Sequence, residues 1–85
     1  MDNVWIGQEM VAVEAHLLPD GEVQPVAFTW RGRRRQICGL GRQWDDAQGR
    51  HVLVATSDGD RFELCLTTDH RGWQLLRAWE RPYRA

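Results

Sequence analysis

The chain has 85 residues, 42% of them apolar, with five Trp, eleven Arg and a net charge of −1. That length supports one domain, 1–85, with a real but small core, and excludes two. No apolar stretch approaches the length of a membrane span. All the basic residues are Arg, which fits either coding bias or selection for planar, bidentate contacts, and composition does not separate the two.

Charge is blocked along the chain. Residues 1–30 hold five acids and no Arg, residues 31–44 hold five Arg and no acid, residues 45–70 hold six acids and two Arg, and residues 71–85 hold four Arg and one Glu. Two readings fit. Strands of opposite sign pair across a sheet, or residues 31–44 and the C-terminal end form a basic patch. The opening Met1-Asp2-Asn3 lacks the basic start and long apolar run of a secretory signal. Cys38 and Cys65 show no C-x-x-C spacing. An intracellular, cytoplasmic protein with two free thiols and no intramolecular disulfide is expected.

In chain order, Val4-Trp5-Ile6-Gly7 is apolar enough for Trp5 to pack on a sheet. From Gln8 to Leu18, Val11, Val13, Ala15 and Leu17 alternate with Ala12, Glu14 and His16. A helix competes here, but the regular period of two favours a strand. Pro19-Asp20-Gly21 is a turn signal. Pro25 opens the next strand, where its missing N–H is tolerable.

Val26, Phe28 and Trp30 then alternate with Ala27, Thr29 and Arg31, and Arg31-Gly32 supplies a two-residue hairpin turn. That turn sets Trp30 opposite Arg33, Phe28 opposite Arg35 and Val26 opposite Ile37, with Arg34 and Gln36 on the other face. Val26 and Ile37 are expected in the core, with Trp30, Arg33 and Arg35 at the open end. Gly39 and Gly41 signal a bulge or sharp bend of the kind a small barrel needs. Trp44 ends the strand, and Asp45 to Gly49 form a polar loop.

Residues 51–56 and 61–67 form a second hairpin. Of its two possible registers, the three-residue loop ending in Gly59 is preferred, because Val54 opposite Phe62 and Val52 opposite Leu64 unite both apolar stripes on one face. Thr68 to Gly72 is a turn containing His70. The last strand, Trp73 to Glu80, shows Trp73, Leu75 and Trp79 on one face, and Pro82 stops it. The fold class is therefore all-β: a small antiparallel barrel or strongly curved sheet of five to six strands. Phe28, Ile37, Val52, Val54, Phe62 and Leu64 are expected to form its core.

No catalytic constellation or cofactor motif is present, so a non-enzymatic module without a cofactor is expected. Asp45-Asp46 reads as a solvated turn. His16, His51 and His70 are scattered, as surface or half-buried residues usually are, and their spacing with Cys38 and Cys65 does not suggest a metal. The aromatic and arginine group Trp30, Arg31, Arg33, Arg34 and Arg35, with Trp44, would suit a phosphate backbone and a stacked base, which makes single-stranded nucleic acid the leading partner. The opposing reading places Trp30 and Trp44 in the core and leaves the Arg run as a solvated tip. The alternative function is a protein interaction domain that docks a partner through an edge strand or an exposed Trp.

The segments Trp5 to Val13, Asp20-Gly21, Pro25 to Arg33, Trp44, Phe62-Glu63-Leu64 and Trp73-Gln74-Leu75 resemble an uncharacterised bacterial family of small domains with an F-x-W-R-G-R core. Its members occur alone or at the end of proteins related to Y-family DNA polymerases. The resemblance spans most of the chain and implies an accessory role in DNA replication or repair, with a polymerase-related protein as a possible partner. It implies no catalytic or binding residue. The chain departs from the family pattern at Arg34-Arg35, where an aromatic is expected.

Overall fold

The computed structural model describes residues 3–69 and 71–80. Six strands run in order: β1 (Asn3–Leu17), β2 (Val23–Trp30), β3 (Arg33–Asp45), β4 (Gly49–Thr56), β5 (Arg61–Thr67) and β6 (Trp73–Glu80). Each pairs antiparallel with its sequence neighbours, and β1 closes the ring on β6. The protein is a closed six-stranded antiparallel barrel.

The two longest strands make closure possible. The first part of β1 pairs with β6 through Val11, and the second pairs with β2 from Ala12. β3 likewise leaves β2 after Gln36 and joins β4 at Ile37. Bulges accompany these bends, at Gly7-Gln8, between Glu14 and Ala15, and around Cys38 and Gly41-Arg42. An extra residue on one strand raises the local twist and curls the sheet on itself. Gly39 and Gly41 thus mark the bend, as the sequence suggests.

Both hairpin registers match the sequence reading. Trp30 pairs with Arg33 and Phe28 with Arg35, around a turn in which Arg31 and Gly32 both take positive φ, 53° and 73°. That is the combination whose twist suits a two-residue hairpin. Val52 pairs with Leu64 and Val54 with Phe62. The interior holds Phe28, Trp30, Val52, Val54, Phe62, Leu64, Trp73, Leu75 and Ala78, with Trp5, Val11, Val13 and Ile37 packed against them. Edge-on ring contacts join Phe28 to Phe62 at 4.9 Å and Trp30 to Phe62 at 6.0 Å.

Three expectations fail where a bulge intervenes. The register between β1 and β2 shifts after Glu14, where Val26 of β2 is the extra residue, and Ala15 and Leu17 beyond it are both exposed. Val26 does not face Ile37, because β3 has already turned towards Thr56 of β4. Both of these residues are half-buried. In β6 the irregularity after Leu75 sets Ala78 inward opposite Phe62 and moves Trp79 off the face of Trp73 and Leu75. His70, Pro82 and the rest of the C-terminal end lie outside the described residues.

Candidate functional site

The hairpin tip brings its arginines together with acids. Arg35 is 6% exposed and sits at the end of the barrel. Its NH1 donates to Asp58 at 3.0 Å and Asp60 at 2.9 Å, and its NH2 to Glu80 at 2.9 Å. Its guanidinium lies 4.9 Å from the Phe62 ring centre. Burial alone would lower the Arg35 pKa, but the hydrogen bonds and charges of Asp60, Glu80 and Asp58 outweigh it and raise it. Arg34 makes a two-pronged bond to Glu14, at 2.7 and 3.0 Å. Arg33 lies 3.4 Å from Asp58. Arg31 stacks over Trp30 at 4.2 Å and near Trp5 at 5.8 Å. Trp30 itself is 3% exposed, packs on Trp5 and Phe62, and donates its indole N–H to Glu9 at 2.9 Å.

Three of the four tip arginines, Arg33, Arg34 and Arg35, and Trp30 therefore face Glu9, Glu14, Asp58, Asp60 and Glu80, while Arg31 lies on the Trp30 and Trp5 rings. The opposite-sign blocks of the sequence pair across the barrel. Trp30 and Arg35 belong to the interior, so neither presents a surface to a base or a phosphate, and the expected open end is a plugged one.

Trp44 lies elsewhere, on the outer wall. It stacks on His51 with ring centres 5.0 Å apart and planes at 4°, and Arg42 lies 5.2 Å from its ring centre. Here a side-chain group appears that was missed in the sequence. His51 is 3% exposed. Its Nδ1 is 2.9 Å from Glu63 Oε2 and its Nε2 is 2.8 Å from Asp46 Oδ1. With both carboxylates ionised, both bonds form together only when the ring carries two protons, since a carboxylate only accepts. Asp46 also accepts from the backbone N–H of Gln48 at 2.8 Å and Gly49 at 3.3 Å. The His51 bond first, then these backbone bonds, hold its carboxyl below the usual aspartate range. Glu63 is buried, with Arg77 Nε at 3.5 Å from its other oxygen. His51, expected at the surface or half-buried, is thus a buried ring, and Asp46, in an exposed turn as expected, is one of its hydrogen-bond partners.

This group forms the floor of an open groove of about 570 Å³. The walls are Ile6, Gly7 and Gln8 of β1, Arg42 and Trp44 of β3, Leu53 of β4, and Leu76, Arg77 and Trp79 of β6. The register explains it. Once Val52 and Leu64 point inward, His51, Leu53, Glu63 and Cys65 must share the outer face. That signal was available in the sequence. The contributions of Asp46, Arg42 and Trp79 were not, because they depend on a loop and two bulges.

The chemistry of the group is limited. Cys65 Sγ lies 3.8 Å from His51 Nε2. Burial, then the charges of Asp46 and Glu63, push its thiol up to about 11. At neutral pH it remains a thiol, and a thiol is a poor nucleophile. The two carboxylates sit on opposite nitrogens of one ring, so they do not converge. Among the described residues no three His, Cys, Asp or Glu side chains form a metal-binding group. Cys38 is exposed on β3, Cys65 is buried on β5, and both are free. No family model, curated protein or solved structure matches the chain.

Proposed function

We propose that this chain is a non-enzymatic binding module whose recognition surface is the outer groove, and that its partner is a protein segment. One observation carries the reading. Ile6, Trp44, Leu53 and Trp79 line the groove beside the buried Leu76, and none of these four belongs to the buried core. Large side chains are thus spent outside a barrel that already has its core. Trp residues over a rigid floor are the usual anchors of protein interfaces. The floor is rigid because His51 is fixed at both nitrogens and stacked on Trp44.

Docking through an edge strand has less support. Among the described residues each strand is paired on both sides, which leaves no edge to extend. Single-stranded nucleic acid at the hairpin tip also has less support, because carboxylates offset three of its four arginines and Trp30 is covered. A link to DNA replication or repair rests on the F-x-W-R-G-R resemblance alone.

The test is a selection of random displayed peptides on the immobilised domain, followed by titration of the enriched sequences into 15N-labelled protein. The expected result is amide shifts confined to residues 6–8, 42–53 and 76–79. Shifts centred on residues 31–35 would move the recognition surface to the hairpin tip and refute the proposal.

A further inference from the structure

We infer that the segment the groove accepts is uncharged: an extended peptide that sets one large apolar side chain beside Asn or Gln. This rests on the groove being the recognition surface. Two features carry it, a balanced charge and hydrogen-bonding groups of both kinds. Arg42 and Arg77 line the groove, and so do Asp46 and Glu63. Two guanidiniums thus stand against two carboxylates. Arg77 lies 3.5 Å from Glu63, so that pair is closed on itself. A charged side chain entering the groove meets a group of its own sign for each group of the opposite sign. It gains little net attraction and still gives up its hydration.

The groups left for a partner include both acceptors and donors. Asp46 meets His51, Gln48 and Gly49 through Oδ1, and its Oδ2 has no partner among the described residues. The Asp46 side chain is 48% exposed, and an ionised carboxylate only accepts. Arg42 makes no ion pair among the described residues, and its guanidinium, over the Trp44 ring, only donates. Gln8 and Gln48 also line the groove. Both donate to Gln74 Oε1, at 3.2 and 3.4 Å, which leaves their own amide oxygens to accept. An amide both donates and accepts, so Asn, Gln or the peptide unit itself serves Asp46 and Arg42 alike. A carboxylate would leave Asp46 facing a second acceptor, and an ammonium would leave Arg42 facing a second donor. The apolar walls, Ile6, Leu53 and Trp79, suit a single aliphatic or aromatic side chain.

The test uses three capped peptides with a central leucine, flanked on each side by two glutamines, two glutamates or two lysines. Each is titrated into 15N-labelled full chain at low and moderate salt. The glutamine peptide is expected to shift the groove amides with the same affinity at both salts. The glutamate and lysine peptides are expected to bind about two- to fivefold more weakly, the scale of an exposed charge contact. Arg42→Gln removes one cation, keeps an amide donor and tips the balance to negative. It is expected to hold the glutamine peptide within about twofold of the parent and to tighten the lysine peptide about two- to fivefold at low salt. An amide spectrum unchanged away from β3 checks the fold of the variant. If the glutamate or lysine peptide binds the parent groove as well as the glutamine peptide, the groove remains the site and the uncharged partner is refuted. If no peptide moves the groove amides, the recognition surface itself is refuted. Groove shifts that follow protein concentration without peptide would assign the site to a second copy of the chain, which overturns the inference.

Discussion

The guanidinium of Arg35 lies 4.9 Å from the Phe62 ring centre, inside the end of the barrel, and holds carboxylates from two other parts of the fold. Asp58 and Asp60 come from the β4–β5 turn and Glu80 from the end of β6. One side chain of the first hairpin thus ties together three segments distant in sequence. Its Nε has no partner among the described residues, so the network they form is strong but not complete. Removing one member of a buried ion network leaves uncompensated charge and costs about 3–5 kcal/mol. Arg35→Ala is expected to lower stability by that amount in urea denaturation. A loss below about 1 kcal/mol, the scale of a surface pair, would show that Arg35 behaves as a solvated side chain.

Acid should weaken the same end of the barrel. Burial would raise the Asp58 carboxyl, but the Thr56 hydroxyl, the Asp60 N–H and the charges of Arg35 and Arg33 outweigh it and hold it below the usual range. A carboxylate depressed by folding contributes stability that is complete above its unfolded value, about 3.9, and is lost as pH falls through the folded one. Asp58→Asn is therefore expected to be less stable than the parent at pH 7. The difference should close below about pH 4. Melting curves from pH 7 to pH 2.5 measure it, and a gap that widens in acid would contradict the assignment.

Gly49 opens β4 at φ 150°, where a Cβ would stand 2.0 Å from the Leu66 carbonyl oxygen. Backbone, not a movable side chain, blocks the space. Gly49→Ala is expected to cost about 2 kcal/mol or more through overpacking and strain. Loss of the His51–Asp46 contact should follow, because Gly49 donates to the Asp46 turn beside it. Urea denaturation and the amide shifts of residues 46–51 report both effects.

The two thiols should differ in reactivity. Cys38 is exposed, whereas Cys65 is buried and its thiol is pushed up to about 11. A thiol reagent at pH 8 is expected to label one cysteine in the native protein and both in denaturant. Rapid labelling of Cys65 in the native state would mean that the groove floor opens.

Much of the fold was legible in the sequence because period-two alternation and turn residues act locally. Both hairpin registers followed from Arg31-Gly32 and from the loop ending in Gly59. The bulges were harder. One extra residue in β6 turns Trp79 from a core residue into a groove wall, and no local pattern announces it. The candidate site was partly legible. His51, Glu63 and Cys65 follow from the register as neighbours on the outer face, yet scattered spacing hid them. Asp46 joins them only through the way its loop folds back. Arg35 was misplaced for a different reason. A run of arginines reads as solvated until the carboxylates that neutralise it, 23 to 45 residues away, are in place.

The central claim, that recognition lies in the groove and not at the arginine tip, is tested most directly by one affinity comparison. A peptide selected on the parent domain is titrated into Trp79→Ala and into the double variant Arg33→Ala, Arg34→Ala. Truncating a central interface Trp typically costs about 2 kcal/mol or more, roughly thirtyfold in Kd. The account predicts that loss for Trp79→Ala and a Kd within about twofold of the parent for the double variant, since exposed pairs contribute little. Full affinity in Trp79→Ala with loss in the double variant would contradict it.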